Sequence, residues 1–287
     1  MRAFLFGGAV ALIAASPPAA GTGMKVDLEL ALGIDISRSV DAEEAQLQRR
    51  GYIDAFRHPS VIGAIRHGPF GRIAVSYYEW SGLTDINLVA DWTLIHDKAT
   101  ANAFADALAR DTPAVGRRTG IANGINYGVD SLDDNAFAAR RRVIDISGDG
   151  PNNHGELVTF ARDRAVARRI TINGLPIMND KPSPSGRPPL KNLDLYYRDC
   201  VIGGPGAFYV VANDFKDFAR AVLRKLIIEI ADLAPARRAP RKLLIRAAVR
   251  ARRAAPPCDI GETLRQQWWD NYDNDDDNWV PGPFRSP

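Results

Sequence analysis

A largely apolar run at residues 28–34, followed directly by Asp-Ile-Ser-Arg-Ser at 35–39, constrains the fold of this chain most strongly. An apolar run of this length is typical of a strand that is buried on both faces of a parallel sheet. Asp35, Ser37 and Ser39 follow it at alternate positions, on a turn that leads into a helical pattern. The segment therefore predicts a buried strand whose carboxyl end carries three oxygen-bearing side chains.

These three side chains allow two interpretations. Oxygen ligands held on a stiff strand end can close on one hard cation such as Mg²⁺, which takes oxygen ligands in near-octahedral geometry. Serine and aspartate are also common at strand ends because they form turns and cap helices. The segment alone leaves both a metal site and an ordinary strand–helix junction open.

Two later segments add polar side chains and favour the metal site. Thr119 lies in a predicted loop just before a helical run at 122–132, and Asp149 follows a second apolar strand, at 142–147, in a Gly-Asp-Gly turn. In an open parallel sheet, ligands bind outside the carboxyl ends of the strands. We therefore expect two carboxylates and three hydroxyls to meet at one edge of the sheet.

The order and spacing of these three segments resemble the metal-ion-dependent adhesion site of von Willebrand factor type A (VWA) domains. The resemblance covers residues 26–232, and the segments at 149–153 and 201–208 are similar to an uncharacterised bacterial group of exported VWA-like proteins. It implies a divalent cation, Mg²⁺ or Mn²⁺, with an open position for an acidic side chain of a partner protein or envelope ligand.

The resemblance also implies a role for each residue of the site. Ser37 and Ser39 would bind the cation directly, and Thr119 would do so in at least one ligation state. Asp35 and Asp149 would act mostly through bound water. Neutral hydroxyls leave the cation electrophilic, so that it takes an anionic ligand from outside.

The rest of the pattern predicts an α/β domain: a doubly wound, mostly parallel sheet with one antiparallel edge strand and helices on both faces, as in VWA and Rossmann-like folds. The predicted strands lie at 26–36, 72–80, 86–92, 142–147, 170–176 and 207–211. The predicted helices lie at 42–56, 61–67, 99–110, 121–132, 156–168, 193–198 and 214–230. The short turn before residue 86 indicates a hairpin, which makes the third strand the antiparallel one.

The chain of 287 residues divides into four parts. Residues 1–20 have a charged start, an apolar run and small residues at the end, a pattern that predicts a secretory signal and an exported protein, periplasmic or secreted. The alternatives are an uncleaved anchor and a true start at Met24. We expect residues 24–232 to form the VWA-like domain, 233–257 a basic linker rich in Ala, Arg and Pro, and 258–287 an acidic, aromatic tail.

Two features of the C-terminal part stay open. The basic side chains at 237–253 could contact an anionic membrane surface or nucleic acid; a solvated linker is the favoured interpretation, and we do not expect nucleic acid as a partner. Cys200 and Cys258 are the two cysteines of the chain. They either form a disulfide that ties the tail to the domain or stay apart as one buried and one exposed thiol.

Two classes of function follow from these patterns. The favoured one is a metal-dependent binding module that is not an enzyme. The alternative is a metal-dependent hydrolase of phosphorylated or polymeric substrates, because an oxygen-lined Mg²⁺ site on a doubly wound fold also serves some phosphatases. Phosphatases of the haloacid-dehalogenase type need a second Asp where this chain has Ser37. The site segments contain no evident nucleophile or general base, which favours the binding module.

Overall fold

A computed structural model of the chain describes residues 23–179, 181, 182, 186, 188–231 and 253–276, with the backbone alone at 269–276. The secretory pattern at 1–20 lies outside the described residues, and so do the basic residues at 237–252 and the end of the tail at 277–287.

The main sheet is mostly parallel. The strands of the described part are β1 (Met24–Val26), β2 (Glu29–Asp35), β3 (Ile73–Trp80), β4 (Ile86–Ile95), β5 (Phe137–Ala139), β6 (Arg142–Gly148) and β7 (Thr171–Pro176). Five of them pair in the order β4-β3-β2-β6-β7, and every neighbouring pair is parallel except β3 with β4. The predicted mostly parallel sheet with one antiparallel edge strand is confirmed.

Helices cover both faces of this sheet. The helices of the described part are α1 (Ala42–Arg57), α2 (Pro59–Arg66), α3 (Lys98–Leu108), α4 (Ile121–Asp133), α5 (Val158–Ala167), α6 (Leu193–Tyr196), α7 (Phe218–Ile230) and α8 (Ile260–Asp276), and α6 continues into a π-helical turn, Tyr197–Val201. One apolar core joins the sheet to α1, α2, α3 and α7, and a second core joins its other face to α4, α5 and α6. The doubly wound arrangement is therefore confirmed. Within the described part, no helix combines the length and the apolar character needed to cross a membrane.

Helix α1 begins directly after the Asp-Ile-Ser-Arg-Ser segment, and its start is fixed by a capping box. The Asp41 carboxylate accepts a hydrogen bond from the Glu44 backbone (2.8 Å), and the Glu44 carboxylate accepts one from the Asp41 backbone (3.1 Å). Farther along the helix, the ring of Phe56 packs edge-on against Phe104 of α3, with the ring centroids 4.7 Å apart. The turn that carries Ser39 is thus held between a buried strand and an anchored helix.

The predicted strand at 26–36 is wrong in its extent, because two strands, β1 and β2, take its place. Asp27 separates them, and its carboxylate accepts hydrogen bonds from the backbone of Phe70 (2.9 Å) and Arg72 (3.2 Å). β1 then pairs with β5 in a separate two-stranded parallel sheet that the sequence did not predict. A side chain that binds a neighbouring loop has here divided one apolar run.

The predicted strand at 207–211 is also wrong, since only isolated bridges connect this segment to β7. Tyr209 bridges Gly174, and Ala212 bridges Ile177 just after the strand. The side-chain oxygen of Asn173 accepts the backbone N–H of Phe208 (3.0 Å). That N–H is therefore not available to a regular ladder between the two segments.

The tail contains a helix, α8, that the sequence analysis did not predict. Cys200 and Cys258 form a disulfide, which decides between the two interpretations of the cysteines. Cys258 and Ile260 pack against the second apolar core. The first residues of the tail therefore belong to the packed body of the domain.

A buried charge cluster joins α7 to the centre of the sheet. The Lys225 ammonium lies 2.5 Å from Asp145 on β6 and 3.4 Å from Glu229, and none of the three side chains is more than 1% exposed. Burial raises the pKa of Asp145 to about 7, against the opposing effect of the Lys225 charge. An unpaired charge in such a place costs several kcal/mol, so each member depends on the others.

We predict that Lys225→Met lowers the free energy of unfolding by about 3–5 kcal/mol, because it leaves two buried carboxyl groups without their cation. Urea unfolding followed by circular dichroism measures the loss. The control is Arg224→Met, an exposed position in the same helix, where we expect a change of at most about 0.5 kcal/mol. Equal stabilities of the two variants would contradict the assigned role of Lys225.

Candidate metal centre

A continuous chain of hydrogen bonds connects the carboxyl ends of β2 and β6. The Asp35 carboxylate accepts the backbone N–H of Ser37 (2.7 Å). The hydroxyls of Ser37 and Ser39 lie 3.1 Å apart, and the Ser39 hydroxyl donates to Asp149 (2.6 Å). Four of the five predicted site residues therefore form one cluster at the edge of the sheet.

Gly148 allows the two strands to bring this cluster together. A β-carbon at this position would lie 2.8 Å from Asp35 Oδ2 and 2.8 Å from the hydroxyl of Tyr197. Both distances are shorter than ordinary van der Waals contacts, so only glycine fits beside Asp35 without displacement. The glycine of the Gly-Asp-Gly turn thus provides the space in which the Asp35 carboxylate lies.

Thr119 reaches the same edge from the loop before α4. Two hydrogen bonds hold it: Asn153 N–H donates to the Thr119 carbonyl (2.8 Å), and the Asn153 side chain accepts the Thr119 N–H (3.1 Å). The Thr119 hydroxyl lies 3.8 Å from the place of a β-carbon on Gly150, the residue after Asp149. The structure thus places Thr119 next to the cluster, while the role of all five residues as cation ligands stays a prediction.

The electrostatics of the cluster oppose the presence of two ionised carboxylates. Asp35 is fully buried and Asp149 is 7% exposed. Burial, and then the charge of Asp149, raise the pKa of Asp35 well above its usual value. Burial raises the pKa of Asp149 to about 6. Near neutral pH the two ionised carboxylates therefore destabilise the folded state unless a positive charge lies near them.

The donor atoms of the cluster are all oxygens. In the part of the chain that the structure describes, no group of three or more His, Cys, Asp or Glu side chains could hold a metal ion by itself. Asp35 Oδ2 is buried and has no hydrogen-bond partner of ordinary length and angle among these residues. Carboxylate and hydroxyl oxygens suit hard cations such as Mg²⁺ and Mn²⁺ better than they suit soft ones.

Of two surface depressions in the described part of the structure, one is lined by a residue of the cluster. One, of about 250 Å³, is lined by Asp149, Met178, Leu190 and Arg253 among others. The other, of about 400 Å³, includes Ile36 in its lining. A side chain of a partner therefore has room beside Asp149.

For Asn152 and Asn153, the sequence leaves open whether they shape the loop of the site by side-chain hydrogen bonds or simply form a turn. Asn153 holds Thr119, and Asn152 is fully buried, where its side-chain oxygen caps the start of α4 by accepting the Ala122 N–H (3.0 Å). Two adjacent asparagines directly after a Gly-Asp-Gly-Pro turn fit a loop held by side-chain hydrogen bonds. They fit a simple turn equally well, so the sequence alone could not assign their partners.

The fold, with this polar cluster at the carboxyl ends of its strands, is that of a VWA-like domain. The chain belongs to the DUF1194 family, described as a protein family of unknown function, whose sequence model matches residues 25–234. None of the curated proteins matches the chain.

Two solved structures show the same fold at low sequence identity. Proximal thread matrix protein 1 from the mussel byssus aligns with a TM-score of 0.53 and 13% identity over 73% of this chain and 49% of that protein. The pilus adhesin SpaC from Lactobacillus rhamnosus GG aligns with a TM-score of 0.53 and 13% identity over 73% of this chain and 31% of the adhesin. The chain thus spans half or less of the length of these proteins, and the likeness is one of fold.

We predict that Asp149→Asn stabilises the protein in the presence of EDTA at pH 7. Because folding raises the pKa of Asp149, its ionised form destabilises the folded state, and a neutral amide removes that cost. The expected gain in the free energy of unfolding is about 3 kcal/mol, because the pKa rises from 3.8 to about 6 and each unit corresponds to about 1.4 kcal/mol. Urea unfolding measures it.

The control for this variant is Asp134→Asn, an exposed carboxylate after α4, which should change the free energy of unfolding by at most about 0.5 kcal/mol. A destabilised Asp149→Asn variant would show that the buried charge is already compensated within the protein.

Proposed function

We propose that the protein is an exported, metal-ion-dependent binding module. Asp35, Ser37, Ser39, Thr119 and Asp149 would hold Mg²⁺ or Mn²⁺, and the cation would keep a position open for an acidic group of a partner protein or envelope ligand. The bound cation supplies a Lewis-acidic centre that attracts carboxylate oxygens.

The observation that carries this proposal is the pair of buried carboxylates with hydroxyls between them. Asp149 is held by Ser39, and Ser39 contacts Ser37, whose backbone binds Asp35. A divalent cation among these oxygens would offset the two effects that raise the pKa of Asp35, its burial and then the charge of Asp149. It would also provide a partner for the buried Oδ2 atom of Asp35.

The surroundings of the cluster favour binding over catalysis. His154 is the one imidazole in the site segments 35–39, 118–121 and 142–154. Its Nδ1 accepts the backbone N–H of Leu83 (3.2 Å), and burial lowers its pKa. It therefore holds a loop in place rather than presenting this nitrogen to a substrate as a general base. We propose no enzymatic activity for the site.

The disulfide supports the proposed export. Disulfides persist in the periplasm and outside the cell and are rare in the reducing cytoplasm of most bacteria. The bond between Cys200 and Cys258 joins residues separated by 58 positions. It accords with the secretory pattern at the start of the chain.

We predict that the full chain binds one Mn²⁺ or Mg²⁺ and that Asp35→Asn and Ser37→Ala each weaken this affinity by at least about tenfold, equivalent to about 1.4 kcal/mol. Isothermal titration calorimetry measures the affinity, and thermal unfolding in EDTA checks that the variants are folded. Ser60→Ala, which changes an exposed hydroxyl on α2, is the matched control. Full affinity in both site variants would refute the ligand assignment.

A pull-down from envelope extract tests the partner. We expect a protein that is retained in Mg²⁺, released by EDTA and not retained by the Ser37→Ala variant. Steady turnover of generic phosphoesters by the purified protein in Mg²⁺, abolished by the same substitution, would favour the hydrolase instead.

A further inference from the structure

Residues 253–258, where the described part of the chain resumes, contact the domain near the candidate metal centre. Arg253 forms an ion pair with Asp194 (2.6 Å), and the Asn192 side chain donates to the carbonyl of Ala254 (3.0 Å). A few residues later, Cys258 is bonded to Cys200 in the π-helical turn. Three separate contacts thus hold residues 253–258 against the main domain.

The start of α8 then contacts the loop that follows Asp149. A β-carbon at Gly261 would lie 1.9 Å from the carbonyl oxygen of Asn152, so only glycine allows this approach. The next residue, Glu262, accepts a hydrogen bond from the Asn152 side chain (2.6 Å). Glu262 is half-buried in this contact, and burial raises its pKa.

Asn152 and Asn153 connect α8 to two loops of the site, the loop after Asp149 and the loop before α4 that contains Thr119. The Asn152 side chain also donates to the carbonyl of Glu156 (2.9 Å) and accepts the N–H of Ala122 at the start of α4 (3.0 Å). The backbone and side chain of Asn153 hold Thr119 by the two hydrogen bonds already described. The orientation of Thr119 therefore depends on the loop at residues 149–153, which α8 contacts at Asn152.

We propose that Gly261 and Glu262 are positioning residues of the metal centre: held in place by the Cys200–Cys258 disulfide, they fix Asn152 and, through Asn153, the loop that presents Thr119. The proposal deepens the proposed function, since it assigns to a C-terminal segment the support of that site. Loss of the support loosens the Thr119 loop and weakens cation binding while the sheet and its two cores stay intact.

Amide hydrogen exchange of the metal-free full chain tests the proposal without using metal binding. The amides of Thr119, Ala122 and Asn153 donate the three backbone hydrogen bonds that connect Asn152 and Asn153 to the Thr119 loop and the start of α4. In Gly261→Ala, we expect these three amides to exchange at least about tenfold faster, while amides of β2 and β6 keep their protection. The matched control is Gly63→Ala on α2, where a β-carbon would meet no atom within 4 Å.

A second pair of variants, at Glu262, tests the same contact if Gly261→Ala does not fold. Glu262→Ala removes the acceptor of the Asn152 side chain and should give the same faster exchange, whereas Glu262→Gln keeps a carbonyl acceptor and should restore protection. Reduction of the wild-type disulfide with dithiothreitol should reproduce the effect of Glu262→Ala. Unchanged exchange of all three amides in Glu262→Ala and in the reduced protein would overturn the proposal.

Mn²⁺ titration of the same samples separates this proposal from the proposed function. We expect Gly261→Ala, Glu262→Ala and the reduced protein to bind Mn²⁺ about tenfold more weakly than wild type, and Glu262→Gln and Gly63→Ala to bind normally. Absence of Mn²⁺ binding in the wild type would refute the metal centre, while the exchange data would still decide the role of α8. Faster exchange with unaltered Mn²⁺ affinity would overturn the positioning role for the metal.

Discussion

The close approach of two buried carboxylates, Asp35 and Asp149, is the constraint on which the site depends. Parallel pairing of β2 with β6 brings the ends of these strands together, up to Ile34 opposite Ser147. The absence of a side chain at Gly148 then leaves room for Asp35. Backbone pairing and apolar packing on both faces thus enforce a contact that electrostatics oppose. A folded protein that keeps two carboxylates so close is stabilised by positive charge placed between them.

Strand β6 carries one buried carboxylate, Asp145, and Asp149 follows the strand directly, so that the two can be compared. Asp145 has its own cation, because Lys225 projects from α7 to within 2.5 Å of it. For Asp149, the described part of the structure contains a hydroxyl donor, Ser39, in the corresponding role. The region around β6 therefore pairs one carboxylate with a buried lysine, and the proposed cation would neutralise the other. This difference distinguishes a structural charge from one suited to binding.

The sequence predicted the elements that local patterns determine, and it failed where long-range contacts decide. Apolar runs placed β2 and β6, and the rule that ligands gather at the carboxyl ends of parallel strands placed Asp35 and Asp149 together. The division of the first strand at Asp27 depends on a loop more than 40 residues away, since Asp27 binds Phe70. Helix α8 has a local signal, Asp259 followed three residues later by Glu262, but the acidic composition of the tail obscured it. The contact between Glu262 and Asn152 joins residues 110 positions apart, next to a disulfide that links the same two regions of the chain.

The disulfide would connect the proposed export of the protein with the cation affinity of its proposed site. Before Cys200 and Cys258 are joined, the segment that begins α8 lacks its covalent link to the π-helical turn, and it must pay the entropy of docking on weaker contacts alone. Once the bond forms, Glu262 is held near Asn152 at a high effective concentration. A centre supported in this way would reach its full cation affinity only in an oxidising compartment. Oxidation after export would then complete the site where an envelope ligand is present, and the same site would stay weaker in the cytoplasm.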